Sequence, residues 1–525
     1  MSEHNSFPGG DTASIWEGTF EVPSFPVLAR DAHADVCIVG AGIAGLSTAY
    51  LLTKAGKRVI VVDDGPIGGG ESGRTTAHLT NAMDDGFSVL ERIHGAEHVR
   101  RIVESHTAAI DTIESIVRDE KIDCGFRRVD GYLFLGGDDH ESLLDDELEA
   151  ATRAGVRGVS KLPRVPDVAY NLGACLHFPN QGQFHILQYL AGLASAIVRG
   201  GGRIYCDTKA ASVAGGAQCT VKTESKNTIT ADAVCVCTNA SIADMYATHL
   251  KQAPYRTFVI AAVVPRGSVT PALYWDTAHP YHYVRVHQLE EPEDGALDGD
   301  TQYDAIMVGG EDHKTAHDDD AERRWGRLET WMRQRWPQAL EVVFRWSGQV
   351  LEPNDFIAFI GRNPDGAENV YLASGDSGQG MTHGTIAGLL LTDLIRKIPS
   401  DWESIYDPKR VSLRPRAIEE FAKENADVAL RYVRDHITPG DVASVDHIPR
   451  GEGRILRRGL HKVAAYRSAD GKVHMHSAAC THLKCIVDWN SAEKSWDCPC
   501  HGSRFDPYGK VINGPAVTDL DDVSS

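Results

Sequence analysis

The chain has 525 residues, 42% of them hydrophobic, and a formal net charge of −20. That length exceeds one typical domain of roughly 100–200 residues and implies two or three. The acidic balance, with a pI of about 5.6, argues against nucleic acid or an anionic membrane surface as a main partner, since both need a basic face.

Residues 1–34 read as a polar, proline-containing extension without the charged and apolar regions of a secretory signal. ADVCIVG then reads as a buried strand, IAGLSTAYLLTKAG as a helix with Gly56 at its C-cap, and KRVIVVD as a second strand. The apolar run VCIVGAGIAGLSTAYLL is 17 residues long and carries three glycines, so strand–turn–helix explains it better than a membrane span. No transmembrane segment is expected, and the expected location is cytoplasmic.

Gly40, Gly42 and Gly45 form G-A-G-I-A-G between that strand and helix, and Asp63 follows Gly45 by 18 residues at the end of the second strand. This is the full context of a dinucleotide-binding fingerprint. The first glycine permits the turn, the second lets backbone approach pyrophosphate, and the third packs helix on strand. Asp63 would accept from a ribose hydroxyl. The fingerprint alone does not separate FAD from NAD. Two further stretches bear on that choice: GPIGGGESGRTTAHLT (65–80) and ASGDSGQGMTHGT (373–385), which opens another helix. An extended dinucleotide needs phosphate loops at one end and a helix N-terminus at the far end of the sequence.

Residues 85–160 read as helix-rich and charged. From residue 200 strands dominate: GRIYCDT, ADAVCVCT, YRTFVIAAVV, YHYVRV and DAIMVGG, with an acidic loop, HQLEEPEDGALDGDTQ, at 287–302. In YHYVRV the period of two places Tyr281, Tyr283 and Arg285 on one face. Residues 317–336 read as a helix whose Trp325, Trp331 and Trp336 serve packing. A further helix is expected over 415–437, then the linker TPGDVASVDHIPRGEG, then short strands with a hairpin at KVAAYRSADGKVHMHS.

Over residues 35 to about 397 these stretches resemble the D-amino-acid oxidase superfamily of FAD enzymes, which includes glycine, sarcosine and putrescine-type amine oxidases. GGGESGRTTAHLT, YRTFVIAA (255–262), GGEDHKT (309–315) and RWSGQ (345–349) resemble a bacterial-type branch of FAD-dependent oxidoreductases. The resemblance implies FAD on Gly40, Gly42, Ile43, Ala44, Gly45 and Asp63. It implies Arg74, Thr75 and Thr76 along the phosphates and flavin edge, Val213 at the adenine and Thr238 near the pyrophosphate. Gly375 belongs to the late glycine-rich turn, and Gly380, Met381 and Thr382 would offer N–H groups to the flavin O2 region. The branch carries a bulkier, basic residue where this chain has SGQG (377–380). Arg285 becomes a candidate carboxylate clamp, against the alternative of an ordinary ion pair in a half-buried strand. His78 is a candidate for covalent flavin attachment, and His383 for facing the flavin or opening the helix. Taking a hydride from an amine requires no general base.

Of 11 cysteines, Cys37, Cys124, Cys175, Cys206, Cys219, Cys235 and Cys237 are scattered through apolar runs and read as buried thiols. The other four lie in CTHLKCIVDWNSAEKSWDCPCHGSRF (480–505). Cys480 and His482 are spaced C-x-H, and Cys498 and His501 C-x-x-H. A zinc finger groups Cys with Cys and His with His. Mixed pairs suit a Rieske [2Fe-2S] centre, in which two cysteines hold one iron and two histidines the other. No clear two-histidine, one-carboxylate iron site accompanies them, which argues against a Rieske oxygenase. CTHLKC and CPCHGS resemble Rieske proteins closely, over about residues 446–525. In respiratory Rieske proteins the remaining pair, here Cys485 and Cys500, forms a disulfide; in a reducing cytoplasm the alternative is two thiols. Lys484 replaces the usual glycine. Ser503 can donate to a cluster sulfur, and Phe505 replaces a tyrosine hydroxyl, so a potential below the respiratory type is expected.

The expected fold is an α/β FAD-binding Rossmann-type domain with an α+β substrate domain (35–400), a helix and linker (401–445) and an all-β Rieske domain (446–525). The expected cofactors are FAD and a [2Fe-2S] cluster, joining a two-electron to a one-electron carrier. The expected activity is oxidation of a C–N bond of an amine or amino acid, with electrons passing through the cluster to a quinone, cytochrome or redox protein. Two alternatives remain: an O2-using flavin oxidase with a structural or regulatory cluster, and a reductase in which the cluster feeds the flavin.

Overall fold

The computed structural model describes residues 10–137, 139–243, 248–289, 302–411, 415–459 and 461–523. Its first sheet is centred on the strand Ala32–Val39. Val59–Val62 and Thr228–Val236 pair with it in parallel, and Arg203–Tyr205 and Val370–Ser374 extend the parallel set on either side. All four residues of Val59–Val62 are buried, as a strand covered on both faces requires. The helix Ile43–Lys54 follows the first strand, and the helix Gly380–Arg396 follows Val370–Ser374. The two helices approach closely at Gly388, where a Cβ would lie 2.8 Å from the Ser47 Cβ. That contact brings the N-termini of both helices to one cleft.

A second, nine-stranded mixed sheet includes Val342–Pro353, Gln252–Pro265, Tyr303–Lys314 and His282–Gln288 as neighbours. Its hydrophobic core takes in Trp325 and Trp336, with Trp331 packed against it, the packing role expected for these residues. Residues 290–301 of the expected acidic loop lie outside the described residues.

The N-terminal extension differs from expectation. Ile15–Thr19 forms a short helix with a Ser14–Glu17 capping box, and Ile15 and Trp16 are fully buried. The Trp16 indole donates to the Thr75 carbonyl at 2.6 Å, so this segment is part of the flavoprotein core. Two apolar side chains in five residues are too weak a periodic signal to reveal that from sequence.

The helix Pro415–Ile437 leads to the C-terminal region. There, Glu452–Arg458, His461–Arg467 and Val473–Ser477 form one antiparallel sheet, which contains the expected hairpin. Asp488–Asn490, Ser495–Asp497, Arg504–Phe505 and Val511–Asn513 form another. Among the described residues, no helix is long and apolar enough to cross a membrane.

Candidate active site and metal centre

One continuous cavity runs from the first βα turn to the start of the late helix. Gly40 has φ of +107°, and a Cβ there would sit 2.3 Å from the Cys237 carbonyl oxygen. A Cβ on Gly45 would sit 1.8 Å from the Gly40 oxygen, so the turn tolerates no side chain at either place. Asp63 accepts from the Ala41 N–H at 2.5 Å and the Gly65 N–H at 2.9 Å. Burial, and then the nearby Asp64, push its carboxyl above the usual range. Asp63, Lys209, Thr238, Gly375, Gly380, Met381 and Thr382 all line the cavity. Neither Ile43–Lys54 nor Gly380–Arg396 carries a side-chain N-cap. The Ile43 N–H is taken by the Ser72 hydroxyl at 3.1 Å, and two helix starts on one cavity fit a dinucleotide with an anionic centre.

The wall beyond the late helix is aromatic and acidic. Tyr281, Tyr283, His78, Thr257, Asp84 and His383 line it. The Tyr281 and Tyr283 rings lie 5.6 Å apart, and the Tyr283 hydroxyl pairs with the Thr257 hydroxyl at 2.9 Å. His78 Nδ1 pairs with the Thr76 hydroxyl at 2.9 Å, and burial, then Arg285, lower its pKa to about 3, so the ring is neutral. His383 both lines the cavity and bonds the Asp376 carbonyl through Nδ1 at 2.8 Å. Burial raises the Asp84 carboxyl to about 6, against a hydrogen bond from Gln379, and raises Asp376 and Asp312 to about 7.

Three expected residues stand differently. Arg285 is on the same strand face as the two tyrosines, but its Nη1 donates to the carbonyls of Thr76, Ala77 and Phe184 at 2.9, 2.7 and 3.2 Å. Those three acceptors hold the guanidinium in the protein interior, 1% exposed and outside the cavity wall, which does not suit a carboxylate clamp. Val213 is also outside the wall; Thr208, Lys209 and Ala210, at the entry to its strand, take that place. Arg74 lines the cavity, yet its guanidinium donates to Ser347 O at 2.9 Å and pairs with Glu493 at 3.3 Å, both partners being fully buried.

Glu493 belongs to the C-terminal region and opens a buried ionic network absent from the expectations. Arg256 pairs with Asp497 at 3.1 Å, Arg504 with Asp497 at 3.2 Å and with Glu71 at 3.9 Å. Burial opposes ionisation of Glu493 and Asp497, but the surrounding guanidinia hold both carboxyls below the usual range. Gln349 adds a hydrogen bond from its side-chain amide to Gly502 O at 2.9 Å.

At the cysteine–histidine end, Cys485 and Cys500 form a disulfide across the two loops, with Cα atoms 6.4 Å apart. Cys480 and Cys498 are left as buried thiols, and the His482 and His501 rings lie 5.0 Å apart. Cys480 N–H donates to Cys485 O at 2.8 Å, and Cys498 N–H to Ser503 O at 2.8 Å, fixing each loop. Two thiols and two imidazoles on paired loops fit a [2Fe-2S] cluster with mixed ligation. Both imidazoles face the flavoprotein: the buried His249 ring is 5.3 Å from His482 and 6.4 Å from His501. His249 has no sequence signal, because its partners lie more than 200 positions away.

The comparisons with known proteins address both halves. The family model described as FAD dependent oxidoreductase matches residues 35–394, and that described as Rieske [2Fe-2S] domain matches 438–524. The chain belongs to the FAD-dependent oxidoreductase family. It carries FAD and a Rieske cluster as its cofactors. It is 33% identical over 515 residues to YhfW of Bacillus subtilis (strain 168), named as a Rieske 2Fe-2S iron-sulfur protein, covering 97% of this chain and 96% of that one. It is 27% identical over 418 residues to the gamma-glutamylputrescine oxidoreductase of Escherichia coli (strain K12), covering 75% of this chain and 90% of the relative. The crystal structure of glycine oxidase from Geobacillus kaustophilus superposes with a TM-score of 0.57 at 18% identity, covering 72% of this chain and 99% of that one. That last likeness shows the fold of this FAD-dependent oxidoreductase.

Proposed function

We propose that this oxidoreductase oxidises a C–N bond of a cationic amine and that the electrons reach an external acceptor through the Rieske domain. The acidic wall carries this reading. Among the described residues two Lys/Arg side chains line the cavity: Arg74 pairs with Glu493 and Lys209 with Glu224, and Arg285 is held by carbonyls. An amino-acid carboxylate would therefore enter without a cationic partner, which is costly in a buried site. An ammonium group would instead meet Asp84. Near pH 6 and above, the Asp84 carboxylate can take the ammonium proton, leaving the neutral amine that loses a hydride. Tyr281 and Tyr283 bound the site and exclude water. Bound FAD supplies two-electron acceptance and the cluster one-electron transfer, which together convert one hydride into two single electrons. The relative named for gamma-glutamylputrescine supports an amine as substrate. His249, wedged against both cluster imidazoles, supports passage between the two domains.

The test is anaerobic mixing with a panel of amines and amino acids. The expected result is bleaching of the flavin by amines, followed by the EPR signal of the reduced cluster. A Cys480→Ser variant should still bleach but lose turnover with a quinone, cytochrome or redox-protein acceptor. Full turnover in that variant, with stoichiometric hydrogen peroxide in air, would favour the O2-using oxidase instead.

A further inference from the structure

The last strand of the Rieske domain, Val511–Asn513, and the residues after it do more than complete a small sheet. Val511, Ile512, Asn513, Gly514, Ala516 and Val517 line the same cavity as the dinucleotide fingerprint. We propose that this segment is a cap that the Rieske domain contributes to the FAD site, closing its nucleotide half.

Its position follows from its neighbours. A Cβ on Gly514 would lie 3.4 Å from the Ala240 carbonyl oxygen and 3.7 Å from Ile242 Cγ2, in the loop that carries Thr238. The Asn513 side-chain amide donates to Glu71 Oε1 at 3.4 Å, and the other Glu71 oxygen accepts from the Gln349 N–H at 2.7 Å. The adjoining Ser72 hydroxyl accepts from the Ile43 N–H at 3.1 Å, at the start of the fingerprint helix. One short loop thus touches both the cap and the phosphate-binding turn. On its other side the cap is tied to the cluster: Ala516 N–H donates to Ser503 Oγ at 3.0 Å, in the second ligand loop. The apolar members, Val511, Ile512, Ala516 and Val517, present hydrocarbon to the cavity and keep water from a ligand beneath them.

FAD release therefore requires the cap to withdraw. The cap is anchored to a domain whose contact with the flavoprotein includes the buried Arg74–Glu493 and Arg256–Asp497 network. Flavin retention becomes a property of both domains, and its effect falls mainly on the dissociation rate.

The experiment uses full-length holoenzyme carrying Ile512→Ala and Asn513→Ala, singly and together. FAD release is followed by the rise in flavin fluorescence after dilution, and cluster integrity by EPR of the reduced protein. The expected result is release faster by roughly tenfold in the double variant, with the EPR signal of the parent retained. Unchanged release in variants that keep the cluster overturns the proposal. If the double variant loses its cluster, the Asn513→Ala variant decides, since it removes only the Glu71 contact. None of these readouts involves substrate, so they stand apart from the amine reading.

Discussion

The dinucleotide cleft is lined by segments far apart in sequence, among them a turn at Gly40, a loop at Gly69–Thr76 and a helix start at Gly380. At the cluster the ligands are four side chains on two loops within 22 residues, braced by one disulfide. The first site needs long-range architecture and tolerates side-chain variation except where glycine is sterically required. The second needs particular side chains and little architecture. The interface between them follows neither pattern: it is a buried ionic network whose partners are remote in sequence and useless singly.

The sharpest contrast comes from breaking each part in turn. Gly45→Ala places a methyl 1.8 Å from a backbone oxygen that cannot move without the whole turn, so a loss above about 4 kcal/mol in stability or complete loss of bound flavin is expected. Flavin absorbance of the purified protein checks this, and a holoprotein with normal flavin content would contradict it. Glu493→Ala leaves the fully buried Arg74 guanidinium without its carboxylate. Breaking such a pair costs about 3–5 kcal/mol. Denaturation followed at both the flavin and the cluster should show both transitions at lower denaturant than in the parent.

How much of this was legible follows the same division. Cys480, His482, Cys498 and His501 could be read because their spacing is local and chemically specific. Gly40, Gly42, Gly45 and Asp63 could be read because strand, turn and helix are contiguous. Arg285 was half legible: alternation placed it beside Tyr281 and Tyr283, but its carbonyl acceptors come from Phe184 and the loop at Thr76–Ala77. The network was hidden although its residues were quoted. Glu71 and Arg74 lie in GGGESGRTT, Arg256 in YRTF, and Ser347 and Gln349 in RWSGQ. Those stretches read as flavoprotein motifs, and they also form the surface that receives the Rieske domain. A pairing 419 residues apart leaves no trace in a periodic pattern.

Asp84→Asn probes the acidic wall alone. It preserves shape and removes one charge, so flavin content and cluster should be unchanged. Loss of a charge-assisted hydrogen bond of about 1.5–3 kcal/mol corresponds to a fall in kcat/KM for a cationic amine of roughly 10- to 100-fold. The sign of the pH dependence follows from the raised carboxyl. Below about 6 Asp84 is protonated and cannot hold an ammonium; above it the carboxylate is present. The parent's kcat/KM should therefore rise with pH through about 6, and the variant's should lack that limb.

The smallest effect tests whether the cluster loops are as self-contained as the contrast implies. Lys484 occupies the place where Rieske proteins usually have glycine, and the structure gives the reason for the glycine: φ there is +63°. A left-handed conformation costs a side-chain-bearing residue about 1–2 kcal/mol. The Lys484 N–H donates to Cys480 O at 2.9 Å, a bond that glycine would keep, and its side chain is exposed. Lys484→Gly should relieve the strain while adding about 0.5–1 kcal/mol of unfolded-chain entropy. The net gain is then up to about 1.5 kcal/mol, confined to the Rieske domain. Denaturant unfolding read at the cluster should shift to higher concentration while the flavin transition stays in place. A shift of both transitions together would mean that the interface, and not the loop, sets the stability of the cluster end.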